Sequence, residues 1–333
     1  MLGVVGFDRP PGGTRTPSAT TMTPMLGGEQ ELCEVWQVGD AECRDPLITG
    51  SRGRVHYRFG NDVLFGSLRI DETGGADPDA AGRGAAAGPG AAAAPGAAAL
   101  LGAAQAAYED VFAVLDATQH RHLIRVWNYV PAINAVLAGE ERYRLFNSAR
   151  RAAFRESGRA VIGSSVPAAC ALGAPAGAPM CIYFLAARHP SKTIENPSQT
   201  SAYHYPRQFG RHSPIFSRAC IFGGTRHATL FISGTASIVG YETLHPGDAE
   251  AQTRETLANI DALLDEANRL CGSRRYSMDS LKLKVYVRHA EDLGRIKAVL
   301  SKEVRGSTPL YLQADICRKD LLVEIEAAGQ SRS

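Results

Sequence analysis

LKLKVYVRHAEDLGRIKAVL, residues 281–300, changes its hydrophobic period part-way through. Over Leu281–Arg288 the apolar residues Leu281, Leu283, Val285 and Val287 alternate, the two-residue repeat of a strand with one buried face. From Glu291 to Val304 the apolar residues Leu293, Ile296, Val299 and Leu300 recur at helical spacing instead. A strand running almost directly into a helix sets the class as mixed α and β. Upstream, Asp248–Leu270 carries Leu257, Ile260, Leu263, Leu264 and Ala267 on one helical stripe. Before it, ATLFISGTASIVG (228–240) reads as one long strand or two short ones, and strands are expected again at Pro309–Ile316 and Leu321–Ile325. The second half therefore reads ββαβαββ.

The first half offers a similar order: strands at 53–60 and 62–70, a helix at 103–117, a strand at 122–130, a helix at 140–156 and a strand at 180–187. Two βαβ-rich units in the same order predict an internal duplication, and 333 residues suffice for two such bodies. Each unit is expected to form a sheet with two helices packed on one face, an α+β layer architecture. Between the second strand and first helix lies Gly74–Ala99, in which 23 of 26 residues are Ala, Gly or Pro. It holds no large side chain to bury, and the elements flanking it continue one series. It reads as a flexible insertion rather than a domain linker.

Thirty-six Lys and Arg against thirty-four Asp and Glu leave a net charge of +2, too near neutral for a nucleic-acid or membrane-surface binder. No membrane-spanning run and no secretory leader are expected. The seven cysteines are scattered without a C-x-x-C pair, which points to free thiols in a reducing, cytoplasmic setting. Phosphate-loop, dinucleotide, H-E-x-x-H and G-x-S-x-G signatures are absent, and the histidines are dispersed. No metal and no cofactor are expected.

Two places remain where the residues suit chemistry. ENPSQTSAYHYPRQFGRHSPIFSR (195–218) sets Tyr203, Tyr205, Arg207, Arg211 and Arg218 among three stiffening prolines. Guanidinium forks beside phenols suit a carboxylate-bearing small molecule, although composition alone fits a solvated loop equally well. In LLVEIEA (321–327), Leu321, Val323 and Ile325 share one strand face, while Leu322, Glu324 and Glu326 share the other. A glutamate on a half-apolar face has a raised pKa and suits a general acid; the commoner fate of a strand glutamate is solvation.

The run GDAEAQTRETLANIDALLDEA (247–267), DSLKLKVYVRHAEDL (279–293) and LLVEIEA resembles the RidA/YjgF family over about 80 residues. More of the chain is similar to the chorismatases. RVWNYVPAIN (125–134), ERYRLFNSAR (141–150), CIYFLAAR (181–188), IENPSQTSAYHYPRQFG (194–210), LFISGTASIVG (230–240) and LLVEIEA look like that family's blocks in that order. LGVVGFDRPP (2–11) looks most like the hydroxybenzoate-forming branch of pigment pathways. The fold implied is two tandem RidA/YjgF-like (ββαβαβ) units, 1–190 and 191–333, the second carrying the acidic catalyst.

The resemblance implies cleavage of chorismate to 3-hydroxybenzoate and pyruvate, with 4-hydroxybenzoate as a second product. It places the acid that protonates the enolpyruvyl methylene at Glu324. Substrate contacts fall on Tyr143, Tyr205 and Arg218, and less specifically on Gln252 and Lys284. Arg125 or Arg207 is expected as the second cation for a dicarboxylate. The branch that hydrolyses chorismate to a dihydroxy-cyclohexadiene carboxylate has alanine where this chain has Gly234 and Cys317, whereas the 3-hydroxybenzoate branch has glycine and cysteine. Read without the family, Gly234 is a strand bulge and Cys317 a small core residue. Hydrolysis, RidA-type imine deamination and simple binding of an aromatic acid stay open as alternatives. Family members carry a segment before the strand expected at Leu2–Phe7, so the natural start is expected upstream or the segment is dispensable. A monomer is expected, since a duplicated chain supplies its own interfaces.

Overall fold

The computed structural model describes residues 1–9, 11, 16–27, 32–37, 46–72, 95–224, 227–306 and 308–331. A small sheet of β1 (Gly3–Phe7), β2 (Ser18–Thr21) and β3 (Cys33–Trp36) comes first. Then follow β4 (Ile48–Arg52), β5 (Val55–Phe59), β6 (Val63–Ile70), α1 (Pro95–Thr118) and β7 (His122–Pro131). A tight hairpin, β8 (Val136–Leu137) and β9 (Glu140–Glu141), leads into α2 (Arg142–Glu156), β10 (Ala168–Ala174) and β11 (Met180–Ala187). The second half contains β12 (Lys192–Ile194), β13 (Ala219–Gly223), β14 (Ala228–Ala236) and a hairpin of β15 (Ile238–Val239) and β16 (Glu242–Thr243). It continues with α3 (Ala249–Cys271), β17 (Leu281–Val287), α4 (Leu293–Glu303), β18 (Leu310–Gln313) and β19 (Val323–Gln330).

The two large sheets have the same topology. Their orders are β4-β5-β6-β11-β7-β10 and β12-β13-β14-β19-β17-β18, six strands each. In each, the fourth and fifth strands in chain order pair in parallel and every other pair is antiparallel. Strand alternation then sorts side chains into layers. On β11, Met180, Ile182, Phe184 and Ala186 face a core shared with α1 and α2. On β19, Val323, Ile325 and Ala327 do the same toward α3 and α4. The opposite faces, carrying Trp127, Tyr183, Phe231 and Tyr286, merge into one middle core that β1 and β2 also cover. The sheets meet through bridges between Ala168 and Ser217 and between Leu172 and Ile316.

Several boundaries differ from expectation, each for a local reason. The strand expected at 53–60 is β5, and it is the second arm of a hairpin whose first arm, β4, was not expected: Gly53 takes a positive φ of 55° and turns the chain between them. Helix α1 starts at Pro95 rather than 103: proline is tolerated in a first helical turn, and Ala97 and Leu100 are buried. The last residues of the expected insertion are thus helical, and its 74–94 portion lies outside the described residues. Gly96–Thr118 also has the length and apolar composition of a membrane span, contrary to the expectation that no segment would. Half of that segment is buried, against α2 and the first sheet. AACALGA (β10) was not expected as a strand, since its small residues give no alternation; β12 and β13 also went unforeseen. Asp248 caps α3 by accepting from the Ala251 N–H at 2.9 Å, and Gly272 ends it in the left-handed region at φ 67°.

Candidate active site

The sheets deliver polar side chains to one place. A cavity of about 520 Å³ is walled by the β8–β9 hairpin and the start of α2 from the first half. From the second half come the 205–218 loop, β14 and the segment 317–324. Glu324, at the second residue of β19, points away from the helix core because Val323 and Ile325 occupy that side. It is 3 % exposed. Burial, with the Glu326 carboxylate next along the same face, pushes the Glu324 carboxyl up to about 8 against the pull of Arg125 and Arg288. At neutral pH it is therefore a neutral acid holding a proton at the cavity wall.

Arg218 and Arg318 bring positive charge to the cavity, with Arg144 and Lys319 also on its walls. Arg218 donates from Nη2 to the Tyr205 hydroxyl and the Thr200 carbonyl, each at 2.7 Å, while its buried Nε has no hydrogen-bond partner. Arg318 lies over the Phe209 ring at 4.2 Å and donates to the Tyr241 carbonyl at 2.8 Å, and its buried Nη2 is likewise unpartnered. Open guanidinium donors in a largely buried setting are where a carboxylate ligand gains most. Tyr143 bonds Asn147, and burial keeps its phenol well above the usual range. Burial, with Glu324 nearby, pushes the Cys317 thiol up to about 12, so Cys317 presents a neutral S–H. Among the described residues no group of three His, Cys, Asp or Glu side chains is placed to hold a metal ion.

Of the residues singled out from sequence, Glu324, Tyr143, Tyr205, Arg218, Gly234 and Cys317 all line this cavity. Gly234 falls where the β14–β19 register shifts, so the bulge reading of this glycine also describes it. Arg125, Gln252, Lys284 and Arg207 do not line it. Arg125 is buried against Glu326, Lys284 is buried between Glu34 and Glu326, and Arg207 is exposed. Arg318, Arg144 and Lys319 are further cations on the cavity walls; sequence reasoning missed Arg318 because CRKD (317–320) looks like an ordinary solvated turn. The six cysteines described are free thiols, and Cys43 lies outside the described residues.

Gln252 is a strut rather than a ligand contact. Its amide donates to the carbonyls of His245 and Asp320 at 3.1 and 2.8 Å and accepts from the Leu322 N–H at 2.7 Å. It thereby pins the turn before β19 to the start of α3. Gln252→Leu strands these groups at about 1–3 kcal/mol each. We expect a thermal midpoint lowered by several degrees with KM little changed; a raised KM at unaltered midpoint would return Gln252 to the ligand.

Comparison with known proteins gives this arrangement a family. Residues 34–186 match the model described as chorismatase FkbO/Hyg5-like, N-terminal, and residues 216–330 match endoribonuclease L-PSP, the RidA group. A chorismatase from Streptomyces rapamycinicus is 35 % identical over 306 residues, spanning 90 % of this chain and 82 % of the relative. The chain belongs to the chorismatase family. A 3-hydroxybenzoate synthase from Streptomyces hygroscopicus is also 35 % identical, over 89 % of this chain and 81 % of its own. A chorismatase crystal structure superposes with a TM-score of 0.81 at 30 % identity, covering 98 % of this chain and 92 % of that one. In this chain the cavity straddles the two matched regions: Tyr143 falls in the first, Arg218, Cys317 and Glu324 in the second, and Tyr205 between them.

Proposed function

We propose that the chain converts chorismate to 3-hydroxybenzoate and pyruvate, with Glu324 as the proton donor. The observation that carries this is a buried carboxyl, neutral at pH 7, in a cavity with two guanidiniums that have donors to spare. Arg218 and Arg318 suit the two carboxylates of chorismate. Proton transfer from Glu324 to the enolpyruvyl methylene makes a methyl group and an oxocarbenium centre. Cleavage of the ring C–O bond sends its electron pair to the oxygen, which becomes the keto oxygen of pyruvate. The neighbouring ring hydroxyl attacks the vacated carbon to give a protonated epoxide, and its bond to the carbon that first carried it then breaks. Loss of the proton on the newly oxygenated carbon to the Glu324 carboxylate restores both aromaticity and the acid. No water enters this sum; hydrolysis to the dihydrodiol takes up one.

The likeness to a 3-hydroxybenzoate synthase and the glycine and cysteine at 234 and 317 support this product over the diol. Lining residues drawn from both halves of one chain support action as a monomer. The test is incubation of purified protein with chorismate in heavy-oxygen water. The expected products are unlabelled 3-hydroxybenzoate, with 4-hydroxybenzoate as a minor companion, and pyruvate. The diol as main product would overturn the reading in favour of hydrolysis; it would itself be unlabelled, since water adds at the oxocarbenium carbon and the label goes to pyruvate. Untouched chorismate with consumption of reactive enamines would overturn it in favour of imine deamination.

A further inference from the structure

Behind Glu324 lies a buried ionic cluster that the reaction above does not use. Glu326, 4 % exposed, stands two residues further along the same face of β19, roughly 7 Å away by strand geometry. Its Oε1 accepts from Lys284 Nζ at 2.7 Å, from Trp127 Nε1 at 2.9 Å and from the Tyr286 hydroxyl at 3.3 Å; its Oε2 pairs with Arg125. Lys284 is held in turn by Glu34, by the Tyr183 hydroxyl at 3.1 Å and by the Phe7, Trp127 and Tyr183 rings at 5.5–5.8 Å. Glu34 reaches this core from β3 and also accepts from Trp36 Nε1 at 2.5 Å.

The charges of this cluster cancel: Arg125 and Lys284 against Glu326 and Glu34. An ionised Glu324 would be a fifth, uncompensated charge in a buried setting, which is costly. The other charged groups around Glu324 are already engaged or stand across the cavity, where Arg144, Lys319 and Asp320 also lie. Arg288 lies nearby, but its guanidinium is taken up by Asp315 at 2.6 Å, by Asn134 and by the carbonyls of Leu321, Ile316 and Arg318. The thiols of Cys170 and Cys317 and the phenols of Tyr129, Tyr183 and Tyr286 are kept neutral by burial. Across the cavity stand Arg218 and Arg318, with Glu141 and Glu242 also on its walls.

We propose that Glu326, clamped by Arg125 and Lys284, is a positioning residue that holds Glu324 as a neutral acid, and that Glu34 of the N-terminal sheet is the counter-charge completing the clamp. The inference rests on the reading of Glu324 as proton donor, but its test needs no substrate. It makes predictions of opposite sign. Glu34→Gln leaves the cluster net positive, favours the Glu324 carboxylate and moves its deprotonation to lower pH. Lys284→Met leaves the cluster net negative and moves it to higher pH. The double variant is neutral again and returns toward the wild-type value.

The measurement is an infrared titration of the Glu324 carboxyl band, identified by its loss in Glu324→Gln, run alongside the alkaline limb of kcat on chorismate. Shifts of about 1 pH unit, tenfold in proton affinity, are expected for each single variant. Midpoints that move in the same direction in both single variants, or not at all, would overturn the proposal. If Lys284→Met does not fold, the downward shift in Glu34→Gln and its reversal in the double variant decide. Divergent midpoints in a protein that leaves chorismate untouched would uphold the clamp while sinking the proposed reaction.

Discussion

Replacing Glu324 with glutamine is expected to lower kcat on chorismate by on the order of 10³-fold or more, the range typical of a lost general acid. Glutamine keeps the shape and the hydrogen-bonding ends but has no proton to give a carbon. Binding of a non-reactive dicarboxylate analogue, read by calorimetry, should survive within a few-fold because Arg218 and Arg318 are untouched. Activity retained within tenfold would remove Glu324 from the chemistry. Stability should move the other way. The folded carboxyl keeps its proton to about pH 8, whereas the unfolded chain releases it near its ordinary value of 4.5. The native state then binds more protons than the unfolded one across that window, so wild-type stability falls as pH rises through it. Glu324→Gln should flatten this decline and melt higher than wild type at pH 8, a cost of function made visible.

The second large effect is expected from Gly234→Ala. A Cβ built there collides with Glu324 Oε1 and stands 2.7 Å from its Cδ and 3.0 Å from Cys170 Cβ. The resemblance ties this glycine to the 3-hydroxybenzoate branch; the structure adds that it leaves room for the acid itself. Alanine must swing the Glu324 carboxyl away from its present position. A displacement of about 1 Å at a reacting group costs on the order of 10²-fold. We expect hydroxybenzoate formation to fall by that factor, with the surviving turnover shifted toward the diol as water gains access. Chromatography of the products measures both, and an unchanged rate and product profile would remove Gly234 from the control of either.

Much of this was legible in the chain because the signals were local. LKLKVYVR and LLVEIEA declare their faces by alternation, and the same alternation sends Val323 and Ile325 to the helices and Glu324 to the cavity. The α3 stripe and its Asp248 cap are equally local. What stayed hidden depends on partners far along the chain. Arg125 and Lys284 look like ordinary strand cations; the β17–β19 register sets Lys284 opposite Glu326, and only the packing of the first sheet against the second brings Arg125 to it from 201 residues away. Arg318 is unremarkable in CRKD until the 205–218 loop lays Phe209 and Tyr205 beneath it. The strut role of Gln252 does not show in the sequence because two of its partners, the Asp320 carbonyl and the Leu322 N–H, belong to a turn that comes about 70 residues later. The strand β10 went unseen because alanine, glycine and cysteine carry too little bulk to show a period.

The shared topology of the two sheets also shows how the labour divides. In each, the fourth and sixth strands in chain order pair side by side, and their inward residues meet across the middle core. In the first sheet that cross-strand couple is Trp127 with Tyr183, rings 4.5 Å apart and nearly parallel; in the second it is Lys284 with Glu326. The couples are complementary rather than alike. The indole N–H answers the carboxylate, and the phenol oxygen answers the ammonium. The couple of the second sheet is ionic and that of the first is a plate of aromatic surface that shuts out solvent while satisfying it, with Arg125 of β7 also joining the charges. Two ionic couples would lack the aromatic screen, and two aromatic couples would leave Glu324 without its charged neighbours, so the asymmetry between halves is itself what permits a single working centre.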